Sequence, residues 1–226
     1  MAQKNVHAHP FDFRLCHFTG LGIHIALWKE TVKGTKRPFL SSNAKEGIAS
    51  KACVKQLQSV ISRHQEELET HVSLNGFNLH GLWKGATICA TSGMTVVPSV
   101  PAIARCGEWS VGQVLDCHWH FSQTGDQCLG RVLTGLDPTG LDFDCPPPYF
   151  NLDNPMGNPC VKRAMKMTFG WFLDEHLDFT GILCCCLVSI VHHKDSLIHQ
   201  MVQVPGHNFN SIAVLHEPTL LGNCTN

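Results

Sequence analysis

The sequence predicts an α+β fold, in which a largely antiparallel sheet packs against one long amphipathic helix and a second, shorter helix. Neither glycine nor proline interrupts residues 48–71, where apolar side chains recur at helical spacing. Several short apolar runs elsewhere are bounded by turn residues, which is typical of strands. Residues 122–160 are crowded with glycine and proline, which predicts a long irregular loop.

The N-terminal third of the chain carries a predicted strand followed by the long helix. The run Gly-Ile-His-Ile-Ala-Leu-Trp at 22–28 alternates in the manner of a strand. Over residues 48–71, charged and amide side chains occupy the helix face opposite the apolar stripe. That stripe consists of Cys53, Val54, Leu57, Val60, Ile61 and Leu68.

The later elements are shorter and end in three strands. Short apolar runs separated by glycines predict strands over 77–83 and 95–100. The chain shows no internal repeat, so we expect one domain spanning residues 1–226. The irregular loop at 122–160 is then either a domain boundary or a binding loop, because such length without regular structure is uncommon. Beyond it, we expect a helix over 161–176 and strands over 181–191, 197–204 and 212–215.

The composition is that of a folded protein with few charges and an excess of histidine and cysteine. The 226 residues include 15 histidines and 12 cysteines, against a single tyrosine. Apolar residues make up 43% of the chain and charged residues 15%, which argues against disorder. A surface with so few charges predicts a protein partner or self-association. The net charge of −1 provides no strong signal for nucleic-acid binding.

Two features bear on where the protein resides. The N-terminal residues lack the apolar run of about 7–15 residues that marks a secretory signal. The longest uncharged apolar segment, 179–191, is too short to cross a membrane as a helix, so no transmembrane helix is predicted. We therefore expect a cytoplasmic or nuclear protein with reduced thiols, and a secreted one only if the chain is processed from a precursor.

Four residues in the middle of the chain form a candidate zinc site. Cys117 and His120 are close in sequence, and Cys106 and Cys128 flank them. Zinc prefers four thiolate or imidazole ligands in a tetrahedron, which this set supplies. The alternative is that the cysteines are reduced and buried as small hydrophobic side chains.

A second group of thiols and imidazoles lies near the C-terminus. Cys184–Cys186 precede His192, His193 and His199. On a strand, alternate cysteines would face one side and share a site with a histidine of the next strand. The simpler interpretation is that these cysteines are buried as part of an apolar strand.

The block Phe-Asn-Leu-His-Gly-Leu-Trp at 77–83 resembles the first active-site signature of the secreted acid ribonucleases. In that family the histidine is a general acid/base and the tryptophan helps build the pocket, which the resemblance assigns to His80 and Trp83. Lys84 replaces the usual proline. The second family signature is matched only by Glu108 and Trp109, without its histidines and lysine.

The leading functional interpretation is a non-enzymatic accessory or regulatory binding protein, rich in cysteine and histidine and stabilised by zinc. The enzymatic alternative is a divergent acid-ribonuclease-like protein that uses His80, Trp83 and Glu108. A third interpretation is a weakly selected reading frame with no defined biochemical activity, which the unusual composition would also suit.

Overall fold

The fold is helical, and the predicted antiparallel sheet is wrong. In the computed structural model we describe residues 5–31, 48–69, 78–93, 96–110, 112, 123–201 and 212–216. This part of the chain is 66% helical and contains no strand. The helices are α1 His17–Thr31, α2 Ile48–Arg63, α3 Gln65–Glu69, α4 Leu79–Ser92, α5 Val100–Cys106, α6 Gln123–Leu133, α7 Pro159–Leu173, α8 Thr180–His192, α9 Lys194–Met201 and α10 Ala213–His216, with 3₁₀ turns at Pro155–Gly157 and Leu177–Phe179.

The larger core lies between α1 and the four C-terminal helices. Phe169 and Phe172 of α7 and Leu187 of α8 are at most 1% exposed. Burying each such side chain contributes about 1.5–3 kcal/mol to stability, so this core dominates the fold. Its other fully buried large apolar residues are Ile25, Leu183, Ile190, Leu197 and Ile212.

Helices α1 and α8 pack at very short distance in antiparallel orientation. A Cβ atom on Gly22 would lie 2.8 Å from Ile190 Cδ1 and 2.9 Å from Cys186 Cβ, so only glycine fits there without rearrangement. Just before α1, Cys16 lies near His193, the residue that follows the C-terminal end of α8. The two contacts together fix the opposite directions of the helices.

A smaller core joins α4, α5 and α6, and the N-terminal segment connects it to the larger one. Ile103 of α5 and Leu129 of α6 belong to this second cluster. Residues 5–12, which we call the N-terminal strap, cross α6. There Asn5 donates hydrogen bonds from its backbone N and from Nδ2 to Asp126 Oδ2, both at 2.7 Å. Gly130 permits this approach, because a Cβ atom there would lie 2.9 Å from the Asn5 carbonyl oxygen.

The predicted strands that fall in the described residues are helical or irregular instead. Residues 22–28 belong to α1, and 181–191 belong to α8. Both helices are covered on several sides, so their apolar residues do not form the one-sided stripe that identifies an amphipathic helix. Three other predicted strands are also helical, at 79–83 in α4, 197–201 in α9 and 213–215 in α10. Residues 96–99 of a further predicted strand are irregular. Residues 77, 95 and 202–204 of these predictions lie outside the described part of the chain.

Both predicted helices are present with different ends. The long one is divided at His64 into α2 and α3, and residues 70–71 lie outside the described part. The second begins at Pro159, because Asn158 caps it by accepting hydrogen bonds from the backbone N of Cys160 at 2.8 Å and Val161 at 3.3 Å.

The predicted loop 122–160 is only partly irregular. Its first part forms α6 despite two glycines, one of which is needed for the contact with Asn5. Residues 134–154 follow it as turns and irregular chain.

Within the described residues, no single helix has both the length and the apolar character that a membrane crossing needs. Within the same residues, the helical segments 177–192 and 194–200 reach that length and apolar character only when they are counted together, and the chain bends by 66° between them.

Candidate functional site

An open apolar groove runs along the outer face of α7. Its volume is about 310 Å³, room for about ten waters. One wall is α7, and the other is formed by the two 3₁₀ turns and the start of α8. Leu177 is 75% exposed in this wall, so a large apolar side chain faces solvent. The apolar lining consists of Met156, Val161, Met165, Gly170, Leu173 and Leu177.

Three charged side chains edge this groove, which we call the lysine groove. Lys162 and Lys166 lie one helical turn apart in α7, and Asp174 lies at its C-terminal end. All three are exposed, and none forms a salt bridge within the described residues. The groove therefore offers an apolar floor with two positive charges near one end and one negative charge at the other.

Gly170 keeps the floor of the lysine groove open. A Cβ atom at this position would meet only Lys166 Cγ, at an ordinary contact distance of 3.5 Å. A larger side chain here would therefore extend into the groove and leave the core on the opposite face of α7 undisturbed.

A second notable site is buried where the N-terminal strap crosses the end of α8. His193 Nε2 lies 2.8 Å from the carbonyl oxygen of His9, and His192 Nε2 lies 2.7 Å from that of Pro10. Because a carbonyl oxygen only accepts, each Nε2 carries the proton and donates it. For His193 this leaves Nδ1 facing the thiol of Cys16, so the ring can donate to the thiolate once the thiol proton has moved to Nδ1.

Two hydroxyl groups complete the surroundings of the Cys16 thiol. Thr19 Oγ1 and Ser189 Oγ are fully buried and have no hydrogen-bond partner among the described residues. Both hydroxyl groups lie close enough to the sulfur to favour the thiolate, as does the backbone N–H of Thr19. Burial by itself raises the pKa of the Cys16 thiol, but His193, Thr19 and Ser189 outweigh it and lower the pKa to about 6.

The pKa values of two nearby cysteines of α8 are raised instead of lowered. Burial, followed by the neighbouring thiols, raises the pKa of Cys184 to about 11 and that of Cys186 to about 12. Cys16 is thus distinguished by its hydrogen-bond donors, since burial alone would have had the same effect on all three residues.

The strap itself contains histidines that are held neutral. His9 Nδ1 accepts hydrogen bonds from the backbone N of Phe11 at 3.2 Å and of Asp12 at 2.8 Å, so it lacks a proton. Burial lowers the pKa of His9, with Asp12 opposing the change. Burial, then Arg131 and His9, lower the pKa of His7 to about 4. Because the folded strap favours the neutral form of both rings, protonation of the rings at acid pH would weaken the attachment of the strap.

A cysteine paired with a histidine resembles the arrangement of a nucleophile and its base. Cys16, however, is 3% exposed and His193 is 5% exposed, and the strap covers both. The lysine groove does not include either residue. The pair can therefore hold a thiolate and anchor the strap, but a substrate would reach it only after the strap moved.

The expectation of zinc-binding Cys/His groups is wrong for the described part of the chain. No group of three or more His, Cys, Asp or Glu side chains there is arranged to hold a metal ion. Cys106, at the end of α5, and Cys128, in α6, are both half-buried. Cys117 and His120 lie outside the described residues, so the complete set of four stays a prediction.

The ribonuclease-like residues are gathered on one side of the smaller core. His80 and Trp83 lie on α4, and the ring of Trp83 is 6.4 Å from that of Trp109, centroid to centroid. Both tryptophans line a shallow depression beside Cys106. His80 and Glu108 are exposed, and Glu108 has a positive φ of 57°. Their catalytic role stays a prediction.

The sequence singled out His192 and His193 only as part of a group with Cys184–Cys186, and it did not indicate the lysine groove or the pairing of His193 with Cys16. Lys162 and Lys166 show only the helical spacing of an ordinary solvated face, and the wall opposite them comes from residues 156, 177 and 180. Cys16 and His193 are brought together by a contact between the two ends of the chain, and no local pattern reports it. Comparison with known protein families, curated proteins and solved structures found no match.

Proposed function

We propose that this chain is a non-enzymatic binding protein whose lysine groove holds an amphipathic helix of a protein partner. The observation that carries the proposal is an apolar groove edged by two unpaired lysines on the surface of the larger core. Helical ligands place their apolar face in such grooves. Methionines in the lining adapt to different side chains, and lysines select acidic partners.

The shape of the groove supports a helix as the ligand. Lys162, Lys166, Gly170 and Asp174 follow one another at every turn of α7. At 1.5 Å per residue, this edge extends about 18 Å. An elongated groove of that length matches a rod of three to four turns, with acidic residues four positions apart beside the two lysines.

The proposal is tested with two synthetic helical peptides and fluorescence anisotropy. Each peptide has leucines along one face; one carries two glutamates four residues apart beside them, and the other carries lysines at those positions. We expect the glutamate peptide to bind and the lysine peptide to bind at least about tenfold more weakly, because like charges repel at the groove edge. The difference should shrink as salt is added.

Two variants with matched controls locate the binding. Lys162→Glu/Lys166→Glu should reverse the preference between the peptides, whereas Arg163→Glu, an exposed position of α7 outside the groove, should leave it unchanged. Gly170→Leu should block both peptides by filling the floor, and Gly85→Leu, in open space on α4, should not. Failure of the wild type to bind either peptide, or binding that all four variants leave intact, would contradict the proposal.

A further inference from the structure

Helices α2 and α3 present an apolar face that the rest of the described chain leaves partly open. Val54, Leu57, Ile61 and Leu68 are half-buried, and Val60 is 47% exposed. None of these residues belongs to either core cluster. The two helices contact each other but have no extensive contact with another described helix. A face of this kind gains stability when it is covered.

The charges on these helices are complementary to those of the lysine groove. Lys51 and Lys55 lie in the first half of α2, and α3 follows with Glu66 and Glu67. The groove has the same order, since its two lysines precede its aspartate along α7. With α2 antiparallel to α7, the glutamates would lie beside the lysines and the basic half of α2 would lie toward Asp174.

The lengths also agree. From Lys51 to Glu66 the helices extend about 22 Å, and from Lys162 to Asp174 the groove edge extends about 18 Å, at 1.5 Å per residue. The division at His64 offsets α3 from α2, and it falls between the basic and acidic halves.

We infer that the occupant of the lysine groove is the α2–α3 segment of a second copy of this chain. The inference rests on the proposed function and names its partner. The groove and the segment are separate on one chain, since no α2 or α3 residue lines the groove. Two copies can exchange them reciprocally, which gives a closed dimer with two identical contacts related by a two-fold axis.

The test is the oligomeric state of the full chain, measured by sedimentation over a range of concentrations. The wild type should form a dimer that weakens as salt is added. Lys162→Glu/Lys166→Glu and, separately, Glu66→Lys/Glu67→Lys should each shift the dimer dissociation constant upward by at least about tenfold, because each places like charges in both contacts. Arg163→Glu should leave the constant unchanged, and circular dichroism should show equal helix content throughout.

Charge exchange makes the test specific. Combining all four substitutions in one chain restores opposite charges in each contact and should restore the dimer. An equimolar mixture of the two double variants should also dimerise, because each groove then meets a helix of opposite sign. Weak dimers in both experiments would overturn the inference.

The failures of the two proposals are distinguishable. A wild type that stays monomeric while the glutamate peptide binds in the groove overturns self-association and leaves the binding function intact. A dimer insensitive to both charge reversals also overturns the inference. A monomer that binds neither peptide contradicts both proposals together.

Discussion

Cys16 shows how a few donors set the chemistry of one side chain. The thiol is buried, like that of Cys186 on α8, and its low pKa results from His193, Thr19 and Ser189. Because the folded pKa of about 6 is below the ordinary value of 9.0, the thiolate form stabilises the fold. This contribution is complete above about pH 9 and is lost as the pH falls through about 6.

We expect a thiolate titration to reveal this group directly. The ultraviolet absorbance of thiolate should rise near pH 6 in the wild type, and Cys16→Ser should remove that rise. His193→Gln should shift it to higher pH, because the ring that takes up the thiol proton is lost. Cys160→Ser, at an exposed cysteine, serves as the control and should keep the rise. A wild type without any transition near pH 6 would show that the thiol is protonated there.

Among the elements, the pair α1 and α8 is sensitive to side-chain volume where the two helices meet. Gly22 is in contact with Ile190 and Cys186, whereas Gly20 in the same helix has no atom within 4 Å of the position of its missing Cβ. We expect Gly22→Ala to lower the free energy of unfolding by about 1–3 kcal/mol through overpacking. Gly20→Ala should raise it by about 0.5–1 kcal/mol, since alanine favours the helix. Denaturant unfolding of both variants checks this, and equal effects would mean that the two helices do not pack closely.

The elements also show which parts of the fold the sequence could predict. Residues 48–69 and 159–173 have one apolar face, so their helical period is visible. In α8, five consecutive residues from Cys186 to Ile190 are buried, and such a run has no period that separates a helix from a strand. In α6, Gly130 indicated a loop, although it serves the close approach of Asn5. The errors thus arise where tertiary contacts outweigh local preference.

At the scale of the whole molecule, the N-terminal strap joins the two cores. Asp126 accepts both hydrogen bonds of Asn5 from the first turn of α6, while His192 and His193 hold the strap to α8. Neither candidate site could be predicted from sequence alone, because each combines residues that only the assembled helices bring together. The spacing of Lys162 and Lys166 was visible, but the wall facing them was not.

We expect the strap to loosen when its contact with α6 is removed. Asp126→Ala leaves two donors of Asn5 without their charged acceptor, which costs about 1–3 kcal/mol. Hydrogen exchange of the backbone N–H groups of residues 5–12 should become faster than in the wild type. Asp153→Ala, at an exposed aspartate, should leave the exchange unchanged. Equal protection in both variants would show that the strap is held by α8 alone.

The attachment of the strap also has a consequence for the order of events during synthesis. The carbonyl oxygens of His9 and Pro10 accept hydrogen bonds from imidazoles 184 and 182 positions later in the chain. At a translation rate of about 5–20 residues per second, the first residues to leave the ribosome wait roughly ten seconds or more for these partners. Until then the Cys16 thiol lacks both the His193 ring and the overlying strap. The nascent chain therefore exposes to reagents a thiol that is buried in the folded protein.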